Sequence, residues 1–327
     1  LDTNPISANS LGKYFRVNGS TLARQYKDYL SEYWRWDQLE HAEQWVLFPD
    51  NLGEITSIDE VSLSDGELYT IVTNAKAQCQ KGSLVAMVKG VRSSEVSEIL
   101  GQIPIEKRKQ VKEVTLDLAP NMEKIARDSF PNASLVSDRF HVQQLPSEAL
   151  QEMRIKYRWE AIEEENNQVQ KAKEQGELYM PEILPNGDTR KQLLARSRYL
   201  LYKPTNNWTT SQAARASILF SIYPDLKNAY ELTMMFRNIY ESSHSKQAAR
   251  EKLILWYEKI NKYDFPSFIT AANSVLIHQE SILAYFKNRS TNALAENFNS
   301  KIKAFRSVFR GVSDVSFFIY RLTLILA

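Results

Sequence analysis

Apolar positions along the chain recur with two different periods, and the changeover divides it into regions. Residues 6–31 carry Leu11, Tyr14 and Phe15, then Leu22, Tyr26 and Leu30 at i, i+4 and i+8. That spacing predicts two short helices around the turn Val17-Asn18-Gly19-Ser20, where Asn and Gly tolerate positive φ and Ser20 is placed to cap the second helix. Between residues 54 and 143 the pattern alternates with period two and then lengthens again. Strands are predicted at 54–63, 68–73 and 83–89, separated by the turns Asp65-Gly66 and Lys81-Gly82. A helix falls within 93–110, a strand at 111–118, a helix opened by Pro120 and running to about Ser129, a short strand at 134–137, and a helix from near Phe140. The order β-β-β-α-β-α-β followed by helix predicts an α/β fold with a mixed sheet flanked by helices.

From residue 147 the helical period dominates. Ser147 is placed to cap a long helix to about Gln175. Further helical stretches are predicted at 190–202, 210–222, 225–242, 246–262 and 266–287, punctuated by Pro204, Pro224 and Pro266. Two more follow at 292–309 and 314–326. The expected division is 1–50 as a paired-helix segment and linker, 51–145 as the first part of the sheet core, 146–288 as an all-helical insertion, and 289–327 as the return to the core.

Composition narrows the function classes. The 327 residues include 41 Lys+Arg against 39 Asp+Glu, so any basic footprint has to be local. Cys79 is the single cysteine, which excludes an intramolecular disulfide and a cysteine-based zinc finger. The most apolar stretch, 316–327, is interrupted by Arg321 and is too short to span a bilayer. No secretory signal is visible, and a single cysteine is compatible with a reducing cytosol. The chain opens on Leu and stops inside an apolar run, as expected of a fragment. There is no phosphate-cradling Walker loop, no GxGxxG and no GxSxG elbow, so readings built on those motifs lose support.

The candidate chemistry is carried by carboxylates. Asp59 lies near the end of the first long strand, and alternation puts it and Glu60 on opposite faces. Asp117 ends the later strand in Thr115-Leu116-Asp117. Carboxylates at neighbouring strand ends can converge on divalent cations through oxygen ligation, although a lone Asp at a strand end is more often a turn former. Glu296 heads a helix face that continues through Asn299, Lys303, Arg306 and Arg310, while Leu294, Phe298, Ile302, Phe305 and Phe309 form an apolar stripe. Such a face suits a metal ligand followed by phosphate contacts, or an ordinary solvated surface. Asp138 and His141, three apart at a strand-to-helix turn, form a further cluster. In the paired helices, Arg24 and Lys27 are expected on the exposed side, which suits a helix-turn-helix entering a major groove, or an ordinary helical hairpin.

Three segments occur in order: SIDEVSLSDGELYTIVTN, VTLDLAPNMEKIARDSFPNASLVSDRFHVQQL and STNALAENFNSKIKAFRSVFRGVSDVSFFIYRL. Together they resemble the DDE transposases of the ISL-three insertion-sequence family, over about 55–326. The resemblance implies an RNase H-like core interrupted by a helical insertion before the last acidic residue. It implies Asp59, Asp117 and Glu296 as catalytic carboxylates holding two Mg²⁺ ions (Mn²⁺ as substitute), with Asp138 and His141 as support and Asp138 as the alternative second carboxylate. Lys301, Lys303, Arg306 and Arg310 become candidates for backbone contacts with DNA, a homodimer or larger assembly is expected in the active complex, and the resemblance implies a bacterial cytoplasmic setting in association with the nucleoid. Family members usually carry a cysteine-rich zinc module ahead of the helix-turn-helix, and its cysteines do not occur here. That leaves open a non-catalytic DNA-binding remnant, or a nuclease of the same fold that cuts without joining.

Overall fold

The computed structural model describes residues 1–63, 66–309, 312 and 314–327. The chain folds as two compact units, one of residues 1–138 and 288–327 and the other of residues 139–287.

The first unit is built on a mixed sheet. Its strands are β1 (Trp45–Leu47), β2 (Ile55–Ser62), β3 (Leu68–Asn74), β4 (Leu84–Lys89), β5 (Glu113–Leu116) and β6 (Ser134–Ser137). Their order is β1-β4-β3-β2-β5-β6. β1, β4, β3 and β2 pair antiparallel in turn, whereas β5 runs parallel to β2 and β6 parallel to β5. The change of direction follows from the connections: the segment 75–83, with a 3-10 turn at Ala75–Ala77, returns β3 to β4, while the helices Ser93–Gly101 and Pro120–Ser129 carry the later crossovers. Asp65 of the turn expected between β2 and β3 lies outside the described residues. β1 escapes periodicity because a three-residue strand is too short to alternate visibly.

Both sheet faces are covered. On one, Ile58, Val72, Val114 and Leu116 pack with Val96, Leu100, Met122, Ile125 and Ala126 of the crossover helices. On the other, Val61, Tyr69, Ile71 and Met87 pack with Phe298, Ile302 and Phe305 of the helix Ala293–Val308, and with Phe318, Ile319 and Leu322 of Val315–Leu326. Asp314 caps that last helix by accepting the Phe317 N–H at 3.0 Å.

The N-terminal helices are Ala8–Phe15 and Gly19–Gln25. Their close approach requires glycine: a Cβ at Gly19 would lie 2.6 Å from the Asn9 Cα, and one at Gly12 would lie 2.7 Å from the Gly19 Cα. Two expectations fail here. Asn18, not Ser20, caps the second helix, accepting the Thr21 N–H at 2.9 Å. The positive φ falls on Arg16, the C-cap of the first helix, while Asn18 stays extended. A π-helical turn, Tyr26–Leu30, then widens the spiral. Tyr26 remains buried, but Leu30 is 66% exposed in place of continuing the apolar face.

The second unit is helical. Arg139–Glu174 is one continuous helix with Pro146 inside it, where separate helices were expected from Phe140 and Ser147. The Ser147 hydroxyl donates back to the Gln143 carbonyl at 3.0 Å, the bond of a residue inside a helix and not of a cap. The stretch expected as a single helix at 266–287 breaks at His278 into Pro266–Ile277 and Gln279–Asn288. The core centres on Trp256, fully buried, whose indole N–H donates to the Leu232 carbonyl at 3.0 Å and whose ring packs on Phe236. Among the described residues no helix is long and apolar enough to cross a membrane.

Candidate active site

Residue alternation decides what can meet the helix Ala293–Val308. Asp59 pairs across the sheet with Ile71, and Ser57 with Thr73. Ile71 belongs to the core under that helix, so Asp59 lies on the helix-covered face. N–H donors reach both oxygens of its carboxylate. Oδ1 accepts the Glu60 backbone N–H at 2.8 Å, and Oδ2 accepts the Asn299 side-chain amide at 2.8 Å. The same Asn299 Nδ2 donates to the Glu60 carbonyl at 3.1 Å.

Glu296 stands one helical turn before Asn299 and is exposed, whereas Asn299 is 7% exposed. The carboxylates of Glu296 and Asp138 come together, with ligand oxygens within 4.8 Å of one another. Asp138 follows the end of β6 and is 3% exposed. Its Oδ1 accepts the Asn292 backbone N–H at 3.0 Å, at the head of the Glu296 helix. His141 follows three residues along the chain from Asp138 and belongs to the helical unit.

A buried polar chain lies beneath these carboxylates. Ser57 and Thr115 share a hydroxyl hydrogen bond of 2.5 Å, and Thr115 donates to the Asn292 side-chain oxygen at 3.4 Å. Asn288, at the return of the chain into this unit, donates to the Glu113 carboxylate at 2.8 Å. Asparagines therefore anchor both ends of the segment that leads into the Glu296 helix. No local pattern marks Asn288 or Asn292 in the sequence, because their partners lie more than a hundred residues away in the chain.

Asp117 sits one residue past the end of β5, where its Oδ1 accepts the Ala119 N–H at 2.9 Å and so forms the turn into the helix Pro120–Ser129. Its charge also reaches Glu60. Although Glu60 is exposed, desolvation around its carboxyl pushes it above the ordinary range, and the Asp117 carboxylate adds to the rise. Among the described residues, the carboxylate that lies with Glu296 at ligand distance is that of Asp138, not of Asp59 or Asp117.

On the Glu296 helix, Lys301 and Lys303 are exposed and Arg306 partly so, and the Lys301 ammonium also donates to the Cys79 carbonyl at 2.7 Å. Arg310 lies outside the described residues. Burial pushes the Cys79 thiol up, with Lys301 opposing, and its Sγ–H donates to the Leu294 carbonyl at 3.1 Å. Arg24 is exposed as expected. Lys27 is not: it pairs with Asp314 and lies over the rings of Tyr33, Trp34 and Phe317. The π-helical turn rotates it inward, which an ideal helical period does not allow for.

The fold is thus a mixed α/β unit, with acidic side chains held between strand ends and one helix, accompanied by a helical unit. Comparison with known proteins specifies it further. The profile of a DDE-type family described as Transposase, the ISL-three group, matches residues 56–322, and the chain belongs to that family. It is 24% identical over 249 residues to the transposase for insertion sequence element IS1557 of Mycobacterium tuberculosis, covering 75% of this chain and 54% of that protein. It is 22% identical over 272 residues to the transposase for insertion sequence element IS1001 of Bordetella parapertussis, covering 82% of this chain and 60% of that protein. The chain spans little more than half the length of these curated relatives.

Proposed function

We propose that this chain is the catalytic part of a DNA transposase that cleaves transposon ends and joins them to target DNA by cation-dependent phosphoryl transfer. The observation that carries the reading is the convergence of the Glu296 and Asp138 carboxylates on the face where the helix also grips Asp59. The order of the core strands, antiparallel through β2 and parallel beyond it, supports an RNase H-like sheet. The glycine-packed N-terminal helices support a helix-turn-helix, with the exposed Arg24 placed to meet DNA.

The donor set fits a hard divalent cation. Carboxylate oxygens, such as those of Asp138 and Glu296 that lie together, are the ligands Mg²⁺ prefers, with Mn²⁺ as substitute. Asp59, Asp117 and Glu296 are the proposed metal-holding catalytic residues, and a bound ion would supply Lewis acidity at phosphate oxygens. Asp138, buried and spent in part on the Asn292 N–H, acts as the support that sets the pitch of the Glu296 helix. His141 stands beside it in sequence as a second support. Lys303 and Arg306 hold the phosphate backbone, contacts that add affinity and salt dependence and little sequence information. Assembly as a homodimer or larger complex on paired ends is part of the proposal.

The test is cleavage and joining on end-containing DNA with Mg²⁺ or Mn²⁺. Asp59→Asn, Asp117→Asn and Glu296→Gln are each expected to abolish both steps while leaving DNA affinity within a few-fold. Nicks without joined products would make the protein a nuclease. DNA binding with no cleavage by the unaltered chain would make it a non-catalytic binder.

A further inference from the structure

The Asn299 side chain is almost wholly buried, yet it is polar and lies on a helix whose inward face is otherwise aromatic and aliphatic. Both of its described bonds are made by the nitrogen, to the Asp59 carboxylate and to the Glu60 carbonyl, which settles which end of the amide is which. Its Oδ1 is buried with no hydrogen-bond partner among the described residues. An unpaired buried amide oxygen is costly, so burial of Asn299 is offset by what its nitrogen does.

We propose that Asn299 is a positioning residue for the cation site. It clamps the Asp59 carboxylate in the orientation that would receive the ion. The inference rests on the reading of Asp59 as a metal-holding carboxylate. The geometry makes the role specific. Asn299 sits one turn after Glu296 on the same rigid helix, so one amide ties the strand carboxylate to the helix carboxylate and fixes their separation. Nδ2 donates to Asp59 Oδ2, and the Glu60 N–H donates to Oδ1. A carboxylate oxygen accepts more than one partner, so neither bond bars the approach of a cation.

The experiment measures Mn²⁺ affinity of the DNA-free protein by electron paramagnetic resonance, for the parent, Asn299→Ala, Asn299→Ser, Asp59→Asn and the Asp59→Asn/Asn299→Ala double variant. Hydrogen-bond partners of metal ligands are typically worth about 10–100-fold in affinity, and a loss in that range is expected for Asn299→Ala. Half-maximal cleavage should need correspondingly more Mg²⁺, with activity partly restored at high Mg²⁺, a response that a general packing defect would not give. Asn299→Ser, too short to reach Asp59, should behave alike and serves if the alanine variant fails to fold. The double variant should lose no more affinity than Asp59→Asn alone. Parent-like Mn²⁺ affinity in the Asn299 variants, with loss in Asp59→Asn, overturns the inference and leaves the carboxylate site standing. Unchanged affinity in Asp59→Asn overturns both.

Discussion

The backbone N–H of Asn292 donates to the buried carboxylate of Asp138 at 3.0 Å, so the residue that follows β6 holds the head of the helix bearing Glu296. The two segments are separated by the whole helical unit in sequence, and this bond is one of the places where the core closes again.

The bond gives the two candidate second carboxylates different expected responses to substitution. Asp138→Asn keeps an acceptor oxygen and is expected to change stability by less than about 1 kcal/mol, whereas Asp138→Ala strands the Asn292 N–H and should cost about 1–3 kcal/mol in urea unfolding. In cleavage assays Asp117→Asn should be inactive and Asp138→Asn weakened only. Full activity in Asp117→Asn together with loss in Asp138→Asn would reassign the second catalytic carboxylate to Asp138.

The Lys27–Asp314 pair ties the N-terminal segment to the C-terminal helix and makes a pH prediction. Burial pushes the Asp314 carboxyl up, but the Lys27 ammonium and the Phe317 N–H outweigh it and hold the group below the usual carboxylate range. A depressed carboxyl stabilises the fold above its unfolded value, and the benefit disappears as pH falls through the folded one. Lys27 is shifted upward: burial lowers it, and Asp314 more than offsets that, so its share is lost only as pH rises through the alkaline range. With side chains 26% and 39% exposed, the pair is worth at most about 1 kcal/mol. Asp314→Asn keeps the helix cap, and its melting temperature should fall less steeply on acidification than the parent's. A parallel fall in both proteins would show that the pair contributes nothing to the acid limb.

Binding to DNA should distinguish the lysines of the Glu296 helix. Lys303→Ala and Arg306→Ala are each expected to reduce the slope of log affinity against log salt by about one phosphate contact. Lys301→Ala should barely change it, because that ammonium bonds the Cys79 carbonyl. Fluorescence anisotropy across a salt series measures the slopes. A Lys301 effect as large as that of Lys303 would count against that distinction.

The paired N-terminal helices should not tolerate a methyl group at their crossing. Gly19→Ala brings a Cβ to 2.6 Å from the Asn9 Cα, and backbone cannot yield as a flexible side chain would. A cost of about 1–3 kcal/mol is expected, seen as faster proteolysis within residues 1–30. Ser20→Ala, at the position where capping was expected, should be nearly neutral, because Asn18 makes the cap.

Phe298→Ala should be far more damaging than any surface change on its helix. The ring is fully buried against the sheet, and its removal is expected to cost about 3–5 kcal/mol. Loss of that anchor should also release Glu296, so cleavage should fall further than the measured fraction unfolded explains.

Much of this protein is written locally. The long strands, the proline-opened helices and the apolar stripe Phe298, Ile302 and Phe305 are properties of short stretches, because period two or 3.6 is visible within a dozen residues. The carboxylates at strand ends and at the head of the last core helix are legible for the same reason, and so is the family resemblance they carry. The tertiary structure decided what depends on contacts across the chain. It turned Lys27 inward through a π-helical turn and ran a helix straight through Pro146, where local rules expect a break. It sent Lys301 to a carbonyl on another element and added β1 as an edge strand too short to announce itself. Above all it brought Asp138 to Glu296 and Asn299 to Asp59. Those meetings are set by the sheet register and by burial of Phe298 and Ile302 together, and neither is a property of any short segment.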